Sequence, residues 1–534
     1  MKNIGVMDQG SKGCHGGRQP RGSYGKSARR LIQVCRPFLG PIRRRCVVSV
    51  FVALAGLVIG NAAASTKEAA GAAPSVEYWR KKTDTDLAAF AAALRDNYIY
   101  AAYPDPEEWN RQFGQTLATV EAGLPLVQDE AGYQAVLQHL AATLQDSHVG
   151  IRFAQTPAQL SNWPGFLARF DGTSYRVASS RRSGISEGAE ISSCDGRAMS
   201  WWVSKIARLE VGLPDTLEVS RNAVALRLFV DRGSPLRPRP VHCVIDNRSV
   251  RLDWTAASLK ELGPLVRSWE GSSKPEASTR LVGSNGAWVR LGYFYPASAQ
   301  QAKDFYAAIE AAPTLRDKRF IILDVRGNGG GPYNWFMAYL RGLYGEDYAD
   351  HHATARLHVR GVYRLSPAYI ELARAMKKVS MAYEEPADPP YEINELADAE
   401  IEGEAILAGK PLHRSTPLTL PERGPAPANP VTANVYVLTD YGCGSACIAF
   451  VDELKLFPGV RHIGLSTFVD SRSGTPIEVK LPSGQATVMV AAMTRDGRIR
   501  GDNVPQIPTV RFDGDIRDDE EVERWVLQHA LFDE

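Results

Sequence analysis

Thr439-Asp-Tyr-Gly-Cys-Gly-Ser-Ala-Cys-Ile448 is a turn of small residues set between two apolar segments. Val435-Tyr-Val-Leu438 before it reads as a buried strand. Ile448-Ala-Phe-Val-Asp-Glu-Leu-Lys-Leu456 after it repeats its apolar residues at helical spacing. A strand, a tight turn and a helix place Ser445 at a helix N-terminus, where the following amides point toward any developing negative charge. A nucleophilic serine needs that placement, because the amide after it can supply half of an oxyanion hole. A serine that only caps a helix shares the same local pattern.

A second stretch narrows the choice. Phe320-Ile-Ile-Leu-Asp-Val-Arg-Gly-Asn-Gly-Gly-Gly331 reads as a buried strand running into a glycine-rich loop. Pro332 to Leu340 then reads as a helix with proline in its first turn. Consecutive glycines leave backbone amides bare, which suits close approach to a carbonyl oxygen or a phosphate. No Gly-Lys-Ser/Thr follows, which argues against a nucleotide P-loop. A plain βα turn remains the simpler reading of this stretch alone.

Together the two stretches resemble the S41 peptidase family, the C-terminal-processing or tail-specific proteases and their tricorn-like relatives. Leu323-Asp-Val-Arg-Gly-Asn-Gly-Gly330 is similar to the family's Leu-Asp-x-Arg-x-Asn-x-Gly-Gly signature. Ser445-Ala446, then a helix, then His462-Ile-Gly-Leu-Ser-Thr-Phe468 resembles its nucleophile segment and Ile-Gly-x-x-Thr-Phe strand. The resemblance covers most of the chain after about residue 75. It implies a mixed α+β core of the crotonase/ClpP-like kind. It also implies Ser445 as nucleophile, an oxyanion hole from the amide of Ala446 with Gly329 or Gly330, and no cofactor.

The general base is where the chain departs from part of that family. Processing proteases carry a lysine 25 residues after the serine, and here that position is Asp470. A carboxylate cannot stand in for a desolvated amine unless its own pKa is strongly raised. Lys455 lies almost three helical turns from Ser445, and Lys480 lies ten residues past the expected place, so both are poor substitutes. The tricorn-like branch uses a histidine from the N-terminal helical region instead. Leu144-Gln-Asp-Ser-His-Val-Gly-Ile151 resembles that Ser-His element. His148 titrates near neutrality and would take the Ser445 proton, with Ser147 holding the imidazole or relaying it to an acid. Relatives place a Glu before a Gly-Val-x-Pro-Asp stretch. In Asp496-Gly-Arg-Ile-Arg-Gly-Asp-Asn-Val-Pro505 that position falls near Arg500, which makes Asp502 the nearest carboxylate for the orienting role.

Charge and cysteine usage point to export. Of 62 Lys and Arg residues, 11 lie in 1–64 against one of the 60 acidic residues, leaving 51 basic and 59 acidic groups and a net charge of −8. Nothing in that balance suggests nucleic acid. Arg43-Arg-Arg45 leads into an apolar run from Val47 to Ile59 and then Asn61-Ala-Ala-Ala-Ser65, the pattern of a signal peptide cleaved after Ala64. The run is too short to span a bilayer comfortably, so secretion or a periplasmic location is expected and stable membrane insertion is not. Cys14, Cys35 and Cys46 belong to the leader, which leaves Cys194, Cys243, Cys443 and Cys447 as thiols or disulfides. No cysteine spacing with nearby histidine suggests a metal site.

The domain plan follows from the motifs. A helical region at 75–150 ends in the Ser-His element. A β-rich, PDZ-like domain with a helical insertion follows at 160–256, where Gly188-Ala-Glu-Ile-Ser-Ser-Cys-Asp-Gly196 resembles the family's PDZ stretch. The catalytic core occupies 277–534, interrupted at 346–430 by a helical insertion of the kind that restricts substrate access. Helices are expected there around Tyr369 and Ile401, and His351-His352 are read as structural. The expectation is an exported serine peptidase acting on peptides or protein C-termini. A non-hydrolytic binding protein on the same scaffold and a small-acyl esterase are the alternatives.

Overall fold

Phe320–Asp324 and Asn434–Thr439 are buried along nearly their whole length, as strands covered on both faces must be. They pair in parallel, Ile322 opposite Tyr436, at the centre of a six-stranded sheet. Its order is Ala277–Val282, Gly286–Leu291, Phe320–Asp324, Asn434–Thr439, Arg461–Gly464 and Val510–Arg511, and every pairing is parallel except the first. The computed structural model describes residues 74–532 apart from 155–159, 271–274, 284, 358, 381–408 and 416–423.

Alternate residues of each strand serve opposite faces. Val289, Leu323 and Val437 meet Phe305, Trp335, Phe336 and Phe450 from the helices Ala299–Ala311, Tyr333–Tyr344 and Ala446–Leu454. Trp288, Ile322 and Tyr436 form the other face and pack on Val522 and Val526 of the helix Asp519–Phe532.

A second sheet carries the N-terminal helices. Its long strand Ala486–Asp496 pairs antiparallel with Ser473–Lys480, Gly150–Phe153 and Arg360–Arg364, and Leu412–Arg414 extends it beyond Arg360–Arg364. Val488, Val490 and Ala492 are buried in one cluster with Phe90, Leu94, Leu137 and Leu140 from the helices Val76–Asn97 and Glu130–Thr143. The 346–430 segment is therefore not all helical. It contributes Tyr369 on the helix Pro367–Ser380 and also two strands, because Val362 and Tyr363 have a buried sheet to join. The helix expected at Ile401, like the leader and Ala64, lies outside the described residues.

Between residues 160 and 258, five strands from Phe166–Phe170 to Arg248–Arg251 form a third sheet with the short Arg197–Ala198 at its side. The helices Met199–Ile206 and Glu218–Phe229 share its core. Cys194 and Cys243, opposite each other on paired strands, are joined by a disulfide. Among the described residues, no helix is long and apolar enough to cross a membrane.

One ion cluster holds the central strand in place. Asp324 accepts from Arg290 Nη1 (2.6 Å), from Arg326 Nη2 (2.8 Å) and from Trp288 Nε1 (3.2 Å). Burial works against its ionisation, but Arg326 and Arg290 outweigh burial and hold the carboxyl below the usual range. Arg326 reaches on to the Ile516 carbonyl (2.9 Å) and Asp519 (2.9 Å), tying the C-terminal helix to the loop. Asp324→Ala would leave Arg290 buried without a carboxylate and Arg326 with Asp519 as its remaining ion-pair partner. That substitution is expected to destabilise the fold by about 3–5 kcal/mol, read from denaturant unfolding, and an unchanged midpoint would remove the cluster from the account.

Candidate active site

Asp324 and Leu438 are register partners, so the loops after both central strands begin side by side. Asp440 Oδ1 accepts from the Gly327 amide (2.7 Å) and the Gly442 amide (2.9 Å), one from each loop. Asn328 is fully buried, donates Nδ2 to the Leu291 carbonyl (2.7 Å) and accepts from the Gly330 amide (2.9 Å) on Oδ1. Its own carbonyl accepts from the Gly444 amide (2.9 Å). The signature Asp, Arg and Asn residues therefore shape the backbone, and the glycines are what they present.

Gly330 has φ +99°, and a Cβ there would lie 2.7 Å from Ala446 N and 2.9 Å from Ser445 Cβ. Only glycine lets the loop approach so closely. Ser445 stands at φ +50° and ψ −118°, a conformation that costs a non-glycine residue about 1–3 kcal/mol. Its side chain makes no capping hydrogen bond to the helix it precedes, so it does not act as an N-cap. Cys443 and Cys447 are bridged around it, with Cα atoms 5.3 Å apart.

Two of the amides expected in the oxyanion hole are left over. Neither Ala446 N–H nor Gly329 N–H carries a backbone hydrogen bond to another described residue, and Gly329 is exposed. Gly330 N–H is spent on Asn328. Of the two glycines expected to complete an oxyanion hole, Gly329 is the one with an amide to offer.

His148 follows the helix Glu130–Thr143 and is buried at the start of Gly150–Phe153. Its ring Nδ1 lies 3.3 Å from Ser473 Oγ, and that hydroxyl lies 2.7 Å from Asp146 Oδ1. Burial pulls the imidazole below its ordinary pKa, against the opposing pull of Asp146 and Asp470. Ser147 does not touch the ring. Its hydroxyl is buried without a hydrogen-bond partner among the described residues. Asp502 makes no contact with the ring either. Its carboxylate is held by Arg472, whose Nη2 lies 3.1 Å away.

One segment links serine to histidine. Phe468 N–H donates to the Cys443 carbonyl (3.0 Å), and Ser473, five residues on, faces His148. Asp470, between them, is buried and paired with Arg500 Nη1 (2.6 Å) and Arg498 Nη1 (3.0 Å). Burial opposes its ionisation, but Arg500 and Arg498 hold its carboxyl below the usual range, so it cannot serve as a base in the lysine's place. Ser445 and His148 share no direct hydrogen bond in this structure.

No protein-family model matches the sequence, and neither does any curated protein. Solved structures do match. Mature CPAF complexed with lactacystin superposes with a TM-score of 0.54 at 15% identity, over 85% of this chain and 98% of that one. Mature CPAF alone gives 0.53 at 16% identity, over 85% and 97%. This chain has the fold of mature CPAF. It is the mixed α+β architecture that the S41 resemblance implied. Among the described residues, no group of three or more His, Cys, Asp or Glu could hold a metal ion.

Sequence reasoning missed Ser471, Ser473 and Asp146. Asp146 stood two residues before His148 in the quoted motif, so proximity was a usable signal. Ser473 is 325 residues from His148, and nothing local marked it. The glycine loop offers a sharp check. Gly330→Ala would drive a methyl into the backbone of 444–446 and is expected to cost well over about 1 kcal/mol. Gly329→Ala would meet nothing within 4 Å and should leave the melting temperature nearly unchanged. Equal effects of the two would refute this packing.

Proposed function

We propose that the protein is a serine peptidase that hydrolyses peptide bonds in peptides or protein C-termini through an acyl-enzyme on Ser445. The observation that carries this reading is the strained, uncapped Ser445 beside an unbonded Ala446 amide at a helix N-terminus. Ser445 Oγ attacks the scissile carbonyl while His148 takes its proton and later returns it to the leaving amine. The amides of Ala446 and Gly329 meet the oxyanion. The fold shared with mature CPAF supports the scaffold, the geometry of the turn supports Ser445, and the resemblance of the Ser147-His148 element supports His148 as base.

Export is part of the same proposal. It is supported by the leader pattern at 1–64 and by two disulfides, which form and persist in oxidising compartments. The third sheet is proposed as the PDZ-like module that would hold a peptide along a strand edge. The alternative, a non-hydrolytic peptide-binding protein, draws on the missing Ser445–His148 hydrogen bond.

A fluorophosphonate probe separates the two. An adduct on Ser445 is expected, and it should disappear in Ser445→Ala and in His148→Ala. Peptide hydrolysis should fall roughly a thousandfold or more in both. A folded protein that takes no label would favour the binding module. The pH profile is a second check. The base works as neutral imidazole and burial depresses its pKa, so the acid limb should have its midpoint below the ordinary histidine value of about 6.5. A midpoint at or above that value would contradict a buried histidine base.

A further inference from the structure

Asp146 is a buried carboxylate with no Lys or Arg partner among the described residues. Its Oδ1 accepts from the His148 backbone amide (2.9 Å), Ser471 Oγ (2.6 Å) and Ser473 Oγ (2.7 Å), and its Oδ2 accepts from Tyr98 OH (2.8 Å). All these donors are neutral. Among the described residues, no Lys or Arg forms an ion pair with it, whereas buried Asp324 and Asp470 each have two arginines. A buried charge met only by neutral dipoles is stable enough to persist, yet it still favours any positive charge that forms beside it.

The nearest group able to become positive is His148. Its Nδ1 lies 3.8 Å from Asp146 Oδ1, too far for a hydrogen bond, and Ser473 Oγ fills the gap. In the 2.7 Å contact Ser473 Oγ is the donor and Asp146 Oδ1 the acceptor, so the Ser473 proton points to Asp146. The hydroxyl then shows the ring a lone pair, and Nδ1 must carry the hydrogen. That leaves the lone pair of the imidazole on Nε2, the atom a general base uses. Ser471 Oγ lies 2.6 Å from both Asp146 Oδ1 and Ser473 Oγ and has one proton to give to either.

The geometry points to Asp146 and Ser473 as the positioning pair of His148, with Ser473 passing the ring's orientation to the buried carboxylate. This goes beyond the peptidase reading and rests on it for the role of His148 as base. It assigns to Asp146 the part that sequence reasoning gave to Asp502. Neither residue touches substrate. Both act by fixing the tautomer and by stabilising the imidazolium that forms when Ser445 is deprotonated. The charged groups around the ring are Asp146, Asp470, Arg495 and Arg498. Asp470 is neutralised by its two arginines, so Asp146 is the carboxylate whose charge the ring can answer.

The tautomer can be read directly. In the purified protein labelled with 15N-histidine, the His148 signals, assigned by their loss in His148→Ala, should report Nδ1–H and a bare Nε2 above the imidazole pKa. Ser473→Ala should shift them toward the other tautomer. An Nε2–H ring in the unsubstituted protein would overturn the proposal, whether or not the protein is a peptidase.

Reactivity supplies the second arm. Fluorophosphonate labelling of Ser445 should slow by about 10- to 100-fold in Ser473→Ala and in Asp146→Asn, by analogy with the cost of removing outer partners of metal-ligating histidines. Ser473→Thr should restore most of the rate, and the double variant should be little slower than either single one. In Asp146→Asn the acid limb should move to lower pH, because the charge that favours imidazolium is gone. Unchanged rates in both variants, or a larger loss in Asp502→Asn than in Asp146→Asn, would sink the assignment. A protein that never labels would refute the peptidase reading while the tautomer still decides this one.

Discussion

The side-chain amide of Asn328 is fully buried, and both of its polar atoms are committed, one to the Leu291 carbonyl and one to the Gly330 amide. Its backbone carbonyl takes the Gly444 amide from the neighbouring loop. A buried polar group left unpaired costs about 1–3 kcal/mol, so none of these partners can drift without a penalty. Asp440 repeats the device from the other side by accepting one amide from each loop. Two loops that would otherwise be mobile are thereby fixed against each other at the ends of two parallel strands. Open α/β sheets place their ligand sites at such strand ends. The strained backbone of Ser445 persists because its surroundings over-determine it, with the Cys443–Cys447 bridge around it and Gly330 pressed against it.

Buried carboxylates in this protein are treated in two ways. Asp324 and Asp470 are each clamped by two arginines, which makes them structural and holds them ionised. Among the described residues, Asp146 has only neutral donors. The difference is chemical. A carboxylate matched by arginines has little field left for a neighbour, while one matched by hydroxyls and an amide still attracts a proton to the adjacent ring. Asp470 shows the same logic in reverse. It stands where the resemblance to processing proteases leads to the expectation of a lysine, and the paired arginines Arg498 and Arg500 restore positive charge around that position without supplying a base.

The strand–turn–helix around Ser445 and the strand–glycine loop at 320–331 were legible because each is local. Apolar runs, turn residues and a helical repeat follow one another within about 20 residues, and backbone preference reads such segments well. The departures are all non-local. Asp502 is the carboxylate nearest in the chain to the expected acid, yet Arg472 holds it at the surface. Ser147 was chosen for its neighbour, yet the side chain that reaches the ring belongs to Ser473 on another strand. The insertion at 346–430 was read as helical from its own pattern, and two of its segments became strands because a sheet edge was available.

The sequence by itself determined the central strands, the glycine loop, the conformationally demanding turn at Ser445 and the position of His148, since each depends on residues adjacent in the chain. Tertiary structure decided which cysteines pair, which glycine keeps a free amide and which carboxylate answers the histidine. Those outcomes depend on atoms brought together across as many as 327 residues, as Asp146 and Ser473 are. Pairing at such range is set by how sheets stack and which charges are already neutralised, and no local pattern of residues records it.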